Sequence, residues 1–115
     1  MTNEELQTLI RNACKAAGWR IKRITSDFSG AIIWVDDTPI LFHPATNDGD
    51  SRMLQVACRI GLDFVKDVEE LARATSQYDE YGVYMCAEEP LQDDANKAAR
   101  MAVLRCAGMI GEAME

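Results

Sequence analysis

The chain is short of the side chains on which most catalytic and metal sites depend. Its 115 residues include a single histidine, His43, and four cysteines, no two of which form a CxxC pair. A zinc finger needs closer cysteines or more histidines, and one histidine leaves little from which to build a catalytic triad. The chain also lacks the Gly-Lys-Ser/Thr ending of a phosphate-binding loop and any Gly-x-Ser-x-Gly elbow. These gaps predict a protein that is not an enzyme and that has no metal or cofactor.

The cysteines are spread over the predicted helices and strands, mostly beside apolar neighbours. They are Cys14, Cys58, Cys86 and Cys106. Such positions are typical of buried, reduced, structural thiols. An even number would also permit two disulfides, but nothing else in the chain indicates secretion.

Long apolar runs and a surplus of positive charge are also missing. No run approaches the roughly 18 residues of a membrane-spanning helix, and the acidic start over residues 1–5 does not fit a signal peptide. We therefore expect a cytosolic, cytoplasmic protein that does not bind membranes. The formal net charge of −7 argues against direct binding of duplex nucleic acid. An acidic surface suits a protein partner with a basic patch, and it also suits plain solubility.

What the chain does contain is the patterning of one globular domain over residues 1–115. Hydrophobic residues make up 48% and charged residues 27%, which are ordinary values. Periodicity predicts helices over about 3–17, from 48 or 50 to 60, and from 93 or 94 to 114, with strands over about 19–25, 31–35, 40–42, 62–65 and 82–87. Alternation of Leu62 and Phe64 favours the fourth strand, whereas Val65, Val68, Leu71 and Ala72 have helical spacing, so residues 69–74 are interpreted as further helical turns. The order α-β-β-β-α-β-β-α is that of an α/β (α+β) sandwich, a mostly antiparallel sheet with helices packed on it.

Local signals support several of these boundaries. Thr2 and Glu5 have capping-box spacing at the start of the first helix, and Gly18 is placed to end it in a left-handed conformation. The alternation of the first strand slips at residues 23–24, which predicts a bulge. The second and third strands are dense in apolar residues, which favours a buried, central position for both.

Three short motifs give the chain a family resemblance. The first is Phe42-His43-Pro44, then Thr46 and Asp48-Gly49-Asp50. The others lie in the last helix: Ala98, Arg100, Ala102, Val103, Arg105 and Ala107, followed by Ile110-Gly111. Over about residues 39–115 the chain resembles the phage ABA-sandwich domain family and the related Nin-region X-like proteins of bacteriophages and prophages. The family more often shows tryptophan and then Asn or Asp before the proline, so Phe42 and His43 depart from it. The resemblance implies a layered α/β/α fold and an accessory phage protein, and it supplies no catalytic residues.

The junction between the third strand and the second helix contains the first candidate residues. His43 lies near carboxylates in the sequence, and histidine is the side-chain type best suited to proton transfer near neutral pH, so His43 could act as a general base or a ligand. It can equally fix the turn by hydrogen bonding, which is the favoured interpretation. Asp48 and Asp50 could face one cation, but capping of the second helix explains them more simply.

The last helix supplies two arginines as candidates. Arg100 and Arg105 lie five residues apart and therefore about 140° apart around the helix. Either could bind a phosphate or carboxylate through its planar guanidinium group. Salt bridges within the fold are the favoured interpretation.

The aromatic side chains fall into two groups. Trp19, Trp34, Phe42 and Tyr84 lie on predicted strands, where core packing is the default and stacking of RNA bases is the disfavoured alternative. Tyr78 and Tyr81 lie in a polar, acidic loop, and exposed tyrosines are good interface residues. That loop is the predicted contact site for a protein partner.

Three function classes follow from these residues. The favoured one is a non-enzymatic phage or prophage accessory protein that binds a host protein, such as an inhibitor of a defence protein that handles nucleic acid. The alternative is a small-molecule binder that sequesters a signalling nucleotide, with the His43–Asp50 junction and the two arginines as its site. An enzyme using His43 with Asp48 or Asp50 is the least favoured. Self-association through an apolar, Met-rich last helix would make the protein a homo-oligomer.

Overall fold

The structure is a computed structural model that describes residues 1–66 and 69–114. Within these ranges the chain forms three helices and six strands in the order α-β-β-β-α-β-β-β-α. The helices are α1 (Asn3–Ala17), α2 (Asp48–Cys58) and α3 (Ala95–Ala113). The strands are β1 (Arg20–Ile24), β2 (Ala31–Val35), β3 (Thr38–Phe42), β4 (Gly61–Lys66), β5 (Glu70–Thr75) and β6 (Cys86–Pro90).

The strands form two separate sheets rather than one. Sheet 1 has the order β1-β2-β3 and sheet 2 the order β4-β5-β6, and every neighbouring pair is antiparallel. The predicted class, an α+β sandwich of antiparallel sheet and packed helices, is confirmed. No helix in the described part of the chain is long and apolar enough to cross a membrane.

The strand β5 corrects the sequence prediction of helical turns over residues 69–74. Glu, Leu, Ala and Arg all favour helix locally, but pairing with two neighbouring strands overrides that weak preference. The burial pattern has the period of a strand, with Ala72 and Ala74 fully buried. The helical interpretation also used Val68, which lies outside the described residues.

The strand β6 lies later than predicted, at Cys86–Pro90 instead of residues 82–87. The earlier residues are held in a loop by the carboxylate of Asp79, whose Oδ1 accepts hydrogen bonds from the backbone N–H groups of Tyr81 (2.8 Å) and Val83 (2.9 Å). A short side chain that binds nearby backbone in this way competes with strand pairing. Gly82, with φ of 76°, completes the turn.

Some local predictions about α1 and sheet 1 are confirmed, and others differ from the structure in position or burial. The Thr2–Glu5 capping box and the left-handed Gly18 are both present. The bulge in β1 lies between Ile21 and Arg23, slightly earlier than predicted. β2 is central, but β3 is an edge strand and is mostly exposed.

The helix α3 lies at the centre of the fold and packs on α1, α2, β5 and β6. Its buried face consists mostly of small residues: Ala98, Ala102, Val103, Leu104, Cys106, Ala107, Gly108 and Gly111. Small residues allow close approach of neighbouring backbones, and Gly111 lies directly against the backbone of Asn12. Much of the apolar stripe on which self-association was predicted is therefore covered by the chain itself, whereas Met109 and Met114 near its end are exposed.

Candidate functional site

The strand-to-helix junction over residues 42–50 is organised by its own hydrogen bonds. Asn47, rather than either aspartate, caps α2 by accepting from the N–H of Asp50 at 2.9 Å. The carboxylate of Asp50 reaches back and accepts from the backbone N–H of His43 at 2.8 Å. The prediction that Asp48 and Asp50 supply the cap is thus wrong about the capping residue. Asp50 nevertheless stabilises the turn before α2, and Asp48 lies in its first turn.

Arg100 ties this junction to α3. Its Nε donates to the carbonyl oxygen of Ala45 at 2.9 Å, and its Nη1 donates to Asp48 Oδ1 at 2.6 Å. The arginine side chain is only 15% exposed, whereas that of Asp48 is 69% exposed. The predicted salt bridge of the last helix is confirmed here. Arg105 likewise pairs with Glu89 of β6, so both arginines are engaged within the fold.

The ring of His43 contacts the β1–β2 hairpin. Its Nδ1 lies 3.3 Å from Ser29 Oγ, and a Cβ at Gly30 would overlap the ring. The carboxylate of Asp50 binds the backbone of His43 and not its ring. The sequence did not indicate this Ser–His pair. Among the described residues no carboxylate is hydrogen-bonded to the ring, so the orienting group of a triad is missing there.

The hairpin that contacts His43 has an internal carboxylate of its own. Asp27 Oδ1 accepts from Thr25 Oγ1 at 2.7 Å and from the N–H of Ser29 at 3.2 Å. These hydrogen bonds, with that from Thr25 the largest cause, lower the pKa of Asp27 to about 2. These bonds fix the geometry of the β1–β2 turn. The contacts of His43 with Ser29 and Asp50 are those expected of a histidine that stabilises turns by hydrogen bonding.

The four cysteines are free thiols. Cys14 and Cys106 are buried, and Cys58 and Cys86 are half-buried. Burial raises the pKa of Cys14 to about 12 and those of Cys58 and Cys106 to about 11. Cys14, Cys58 and Cys106 are therefore protonated and unreactive at neutral pH. Across residues 1–66 and 69–114, no three His, Cys, Asp or Glu side chains converge in a way that could hold a metal ion.

The segment between β5 and β6, which we call the tyrosine loop (residues 76–85), presents exposed aromatic side chains. Tyr78 is 71% and Tyr81 is 82% exposed, as the sequence predicted. Val83 and Tyr84 are exposed as well, although Tyr84 was predicted to lie on a strand and pack in the core. The rings of Tyr78 and Tyr84 meet edge to face with centroids 5.1 Å apart.

The tyrosine loop is held firmly although its side chains are exposed. In addition to the two bonds to the Asp79 carboxylate, the N–H of Asp79 donates to the carbonyl of Val83 at 2.8 Å. At the base of the loop, Ser76 and Met85 are joined by two bonds, from Ser76 N–H to Met85 O (2.8 Å) and from Met85 N–H to Ser76 Oγ (2.7 Å). A loop fixed in this way loses little conformational entropy when it binds a partner.

Concave surfaces lie on both sides of the tyrosine loop. The outer face of sheet 2 has a polar cavity of about 430 Å³. It is lined by Asp63, Arg73, Thr75, Tyr78, Tyr84, Cys86 and Glu88. Towards the end of α3 lies a more apolar groove of about 270 Å³ whose lining includes Val83, Met85, Ile110 and Met114. Tyr84 lines both, so the loop forms the ridge between them.

Three of the twelve basic residues of the chain lie close together on the edge strand β1. Arg20, Lys22 and Arg23 lie within the five residues of β1, and the ammonium group of Lys22 lies 5.4 Å from the centre of the Trp34 ring. The surface is therefore not uniformly acidic, because sheet 1 has a basic edge strand.

Comparison with known proteins gives no relative from which a function could be transferred: no family model, curated protein or solved structure matches the chain.

Proposed function

We propose that this chain is a non-enzymatic binding protein whose tyrosine loop contacts a protein partner. In the setting that the phage-family resemblance suggests, the partner is a host protein, such as a defence protein with a basic surface. The proposal includes no catalytic step, cofactor or metal.

The observation that supports the proposal most strongly is the exposure of four large apolar or aromatic side chains on one loop with several internal hydrogen bonds. They are Tyr78, Tyr81, Val83 and Tyr84. A soluble protein gains no stability from exposing such side chains together, and tyrosine is enriched at the energetic centres of protein interfaces. The bonds to Asp79 hold the loop in one conformation without a partner. A preorganised aromatic ridge of this kind suits a protein surface better than a small ligand.

The alternative, sequestration of a nucleotide at the His43–Asp50 junction, has less local support. The phosphate-binding arginine that it needs, Arg100, already binds Ala45 and Asp48. The first turn of α2 contains Asp48 and Asp50 and is capped by Asn47, and carboxylates there oppose an anion. A thermal-shift screen against nucleotides remains the direct test, since saturation at about 100 times Kd adds about 2.7 kcal/mol of stability.

Affinity capture from an extract of the bacterial host tests the proposal. The immobilised wild-type protein is compared with a Tyr78→Ala, Tyr81→Ala double variant. The matched control is a Leu41→Ala, Val56→Ala variant, which removes two exposed apolar side chains, 57% and 62% exposed, from β3 and α2. Circular dichroism and thermal melting verify that all three proteins fold alike.

We expect a protein that the wild type and the control both retain and that the tyrosine variant loses. Removal of two interface tyrosines costs about 2 kcal/mol or more where they are central to the interface, which is about a 30-fold loss of affinity. Equal retention by all three proteins would contradict a role for the loop.

A further inference from the structure

The two sheets have four edge strands, and three of them carry devices that prevent another strand from pairing. β1 has a bulge and three cationic residues. β3 contains Pro39, and β6 ends at Pro90 after two glutamates. Bulges, prolines and clustered charges are the usual means by which proteins protect exposed sheet edges.

The fourth edge, β4, lacks most of this protection. Its six residues contain no proline and pair with β5 in an unbroken register from Gly61↔Thr75 to Lys66↔Glu70. Lys66 at its end is its only cationic residue. Phe64 in the middle of the strand is 52% exposed. In the described chain, no backbone hydrogen bond reaches β4 from outside its sheet.

The side chains of sheet 2 define what an added strand would have to present. One row across the sheet reads Asp63, Arg73, Glu88, with Arg73 Nη2 3.0 Å from Glu88 Oε2. Charges alternate along this row, and no other strand of the described residues lies beside Asp63. Opposite charges directly across neighbouring strands stabilise pairing. The adjacent row, on the other face, begins at Phe64, so an apolar side chain suits the next position of the added strand.

We propose that β4 receives an extended segment of a protein partner, with a lysine or arginine beside Asp63 and an apolar residue beside Phe64. This inference rests on the proposed function and adds the binding mode and the chemistry of the partner. Asp63 also lines the cavity that contains Tyr78 and Tyr84. A long basic side chain at that position therefore enters a space bordered by the Asp63 carboxylate and two aromatic rings, which attract cations. Arg73 also lines this space, and its charge is paired with Glu88.

A second copy of the chain fits this edge less well than a basic partner. Two copies bring together two molecules with a formal net charge of −7 each. Antiparallel pairing of β4 with itself about Asp63 would place two like charges opposite each other, which is destabilising. Charge therefore favours a partner of opposite sign.

Amide hydrogen exchange with a defined peptide tests the proposal on the full chain. The probe is an acetylated and amidated eight-residue peptide that alternates lysine with valine. One control peptide has glutamate in place of lysine, and the other has the lysine sequence with an N-methyl group on every residue, which removes the N–H donors from both edges of the strand. The protein variants are Asp63→Lys and, as a matched charge reversal on an exposed loop outside sheet 2, Asp93→Lys.

We expect millimolar lysine–valine peptide to slow exchange of the amides of residues 61–66, and the N-methylated peptide to leave them unchanged. Asp63→Lys should shift the preference towards the glutamate peptide, by about two- to fivefold for this single cross-strand pair. Asp93→Lys should keep the wild-type preference. Absence of protection in β4, or an unchanged preference in Asp63→Lys, overturns the proposal.

Two further outcomes separate this inference from the proposed function. If the captured host protein is lost by the tyrosine variant but retained by Asp63→Lys, strand addition is wrong and the loop contact stands. If the peptide protects β4 while the tyrosine variant captures the host protein as well as the wild type does, the loop contact is wrong and strand addition stands. Protection of β4 that rises with protein concentration and without peptide, together with larger particles in light scattering, would identify a second copy as the occupant and overturn the basic partner.

Discussion

The helices α1 and α3 approach each other closely at two glycines of α3. Gly108 and Gly111 lie one turn apart on the buried face of α3, and both face α1. A Cβ at Gly108 would lie 2.7 Å from the terminal Cδ2 of Leu9. A Cβ at Gly111 would lie 2.9 Å from Asn12 Cα and closer still to its carbonyl oxygen. The same substitution, glycine to alanine, therefore meets a movable methyl group at one site and helix backbone at the other.

The two variants should differ in stability for this reason. Alanine is better than glycine inside a helix by about 1 kcal/mol. At Gly108 a rotation of Leu9 relieves the contact, so the gain and the cost of overpacking nearly cancel, and we expect Gly108→Ala to stay within about 1 kcal/mol of the wild type. At Gly111 the backbone of α1 must move, which places the cost at the upper end of the usual range of about 1–3 kcal/mol or above it. Fraying of the last turn of α3 limits the loss, so the net destabilisation is about 2 kcal/mol.

Thermal and urea unfolding of the two variants measure the difference. For a domain of this size, about 2 kcal/mol corresponds to a fall in Tm of about 8–12 °C. Gly108→Ala is the matched control, because it has the same chemistry on the same helix face. A Gly111→Ala protein that melts within about 2 °C of the wild type, or a Gly108→Ala protein that is the less stable of the two, would refute the close approach of the helices.

Two further predictions concern the junction and the hairpin it contacts. Arg100→Met keeps the packing of the side-chain stem but leaves the Ala45 carbonyl without its donor, so urea unfolding should show a loss of about 1–2 kcal/mol, with little of it from the exposed Asp48 pair. The lowered pKa of Asp27, about 2 against 3.8 in the unfolded chain, gives a stabilisation that is present above about pH 4 and lost as the pH falls towards 2. Asp27→Asn should therefore flatten that part of the curve of stability against pH, and an identical acid limb in both proteins would contradict the turn geometry.

Much of the fold could be predicted because its signals are local. The Thr2–Glu5 capping box and Gly18 define the ends of α1 through hydrogen bonds and backbone conformation that a few neighbouring residues determine. The apolar stripe of α3 has a helical period along its whole length. Neither signal depends on what the element packs against.

The strand β5 could not be predicted in this way, because its identity depends on distant residues. Its inward positions are Ala72 and Ala74, and alanine at these positions is required by the proximity of α3 rather than by any strand preference. Alternation of alanine with Leu71 and Arg73 gives little hydrophobic contrast. The local sequence therefore favours a helix, whereas in the fold two neighbouring strands are present for pairing.

The residues of the candidate site could likewise be predicted only where the signal is local. Exposure of Tyr78 and Tyr81 followed from the polar composition around them, which is a local property. Val83 and Tyr84 have high strand propensity, and the competing hydrogen bonds of Asp79 become visible only in three dimensions. The Ser29–His43 contact joins residues from different strand ends, and neither residue gives a signal of it in the sequence.

The distribution of charge between the two sheets bears on which surface a partner would meet. The basic residues of β1 belong to sheet 1, whereas the open edge of β4 and the carboxylates of Asp63 and Glu88 belong to sheet 2. A basic segment is repelled by the three cations of β1 and attracted by the carboxylates of sheet 2, and such asymmetry acts on the encounter before any close contact forms. The same asymmetry explains why protection of three sheet edges is compatible with an exposed fourth. Pairing of β4 edges between copies of the chain is opposed by charge, because molecules with a formal net charge of −7 repel one another.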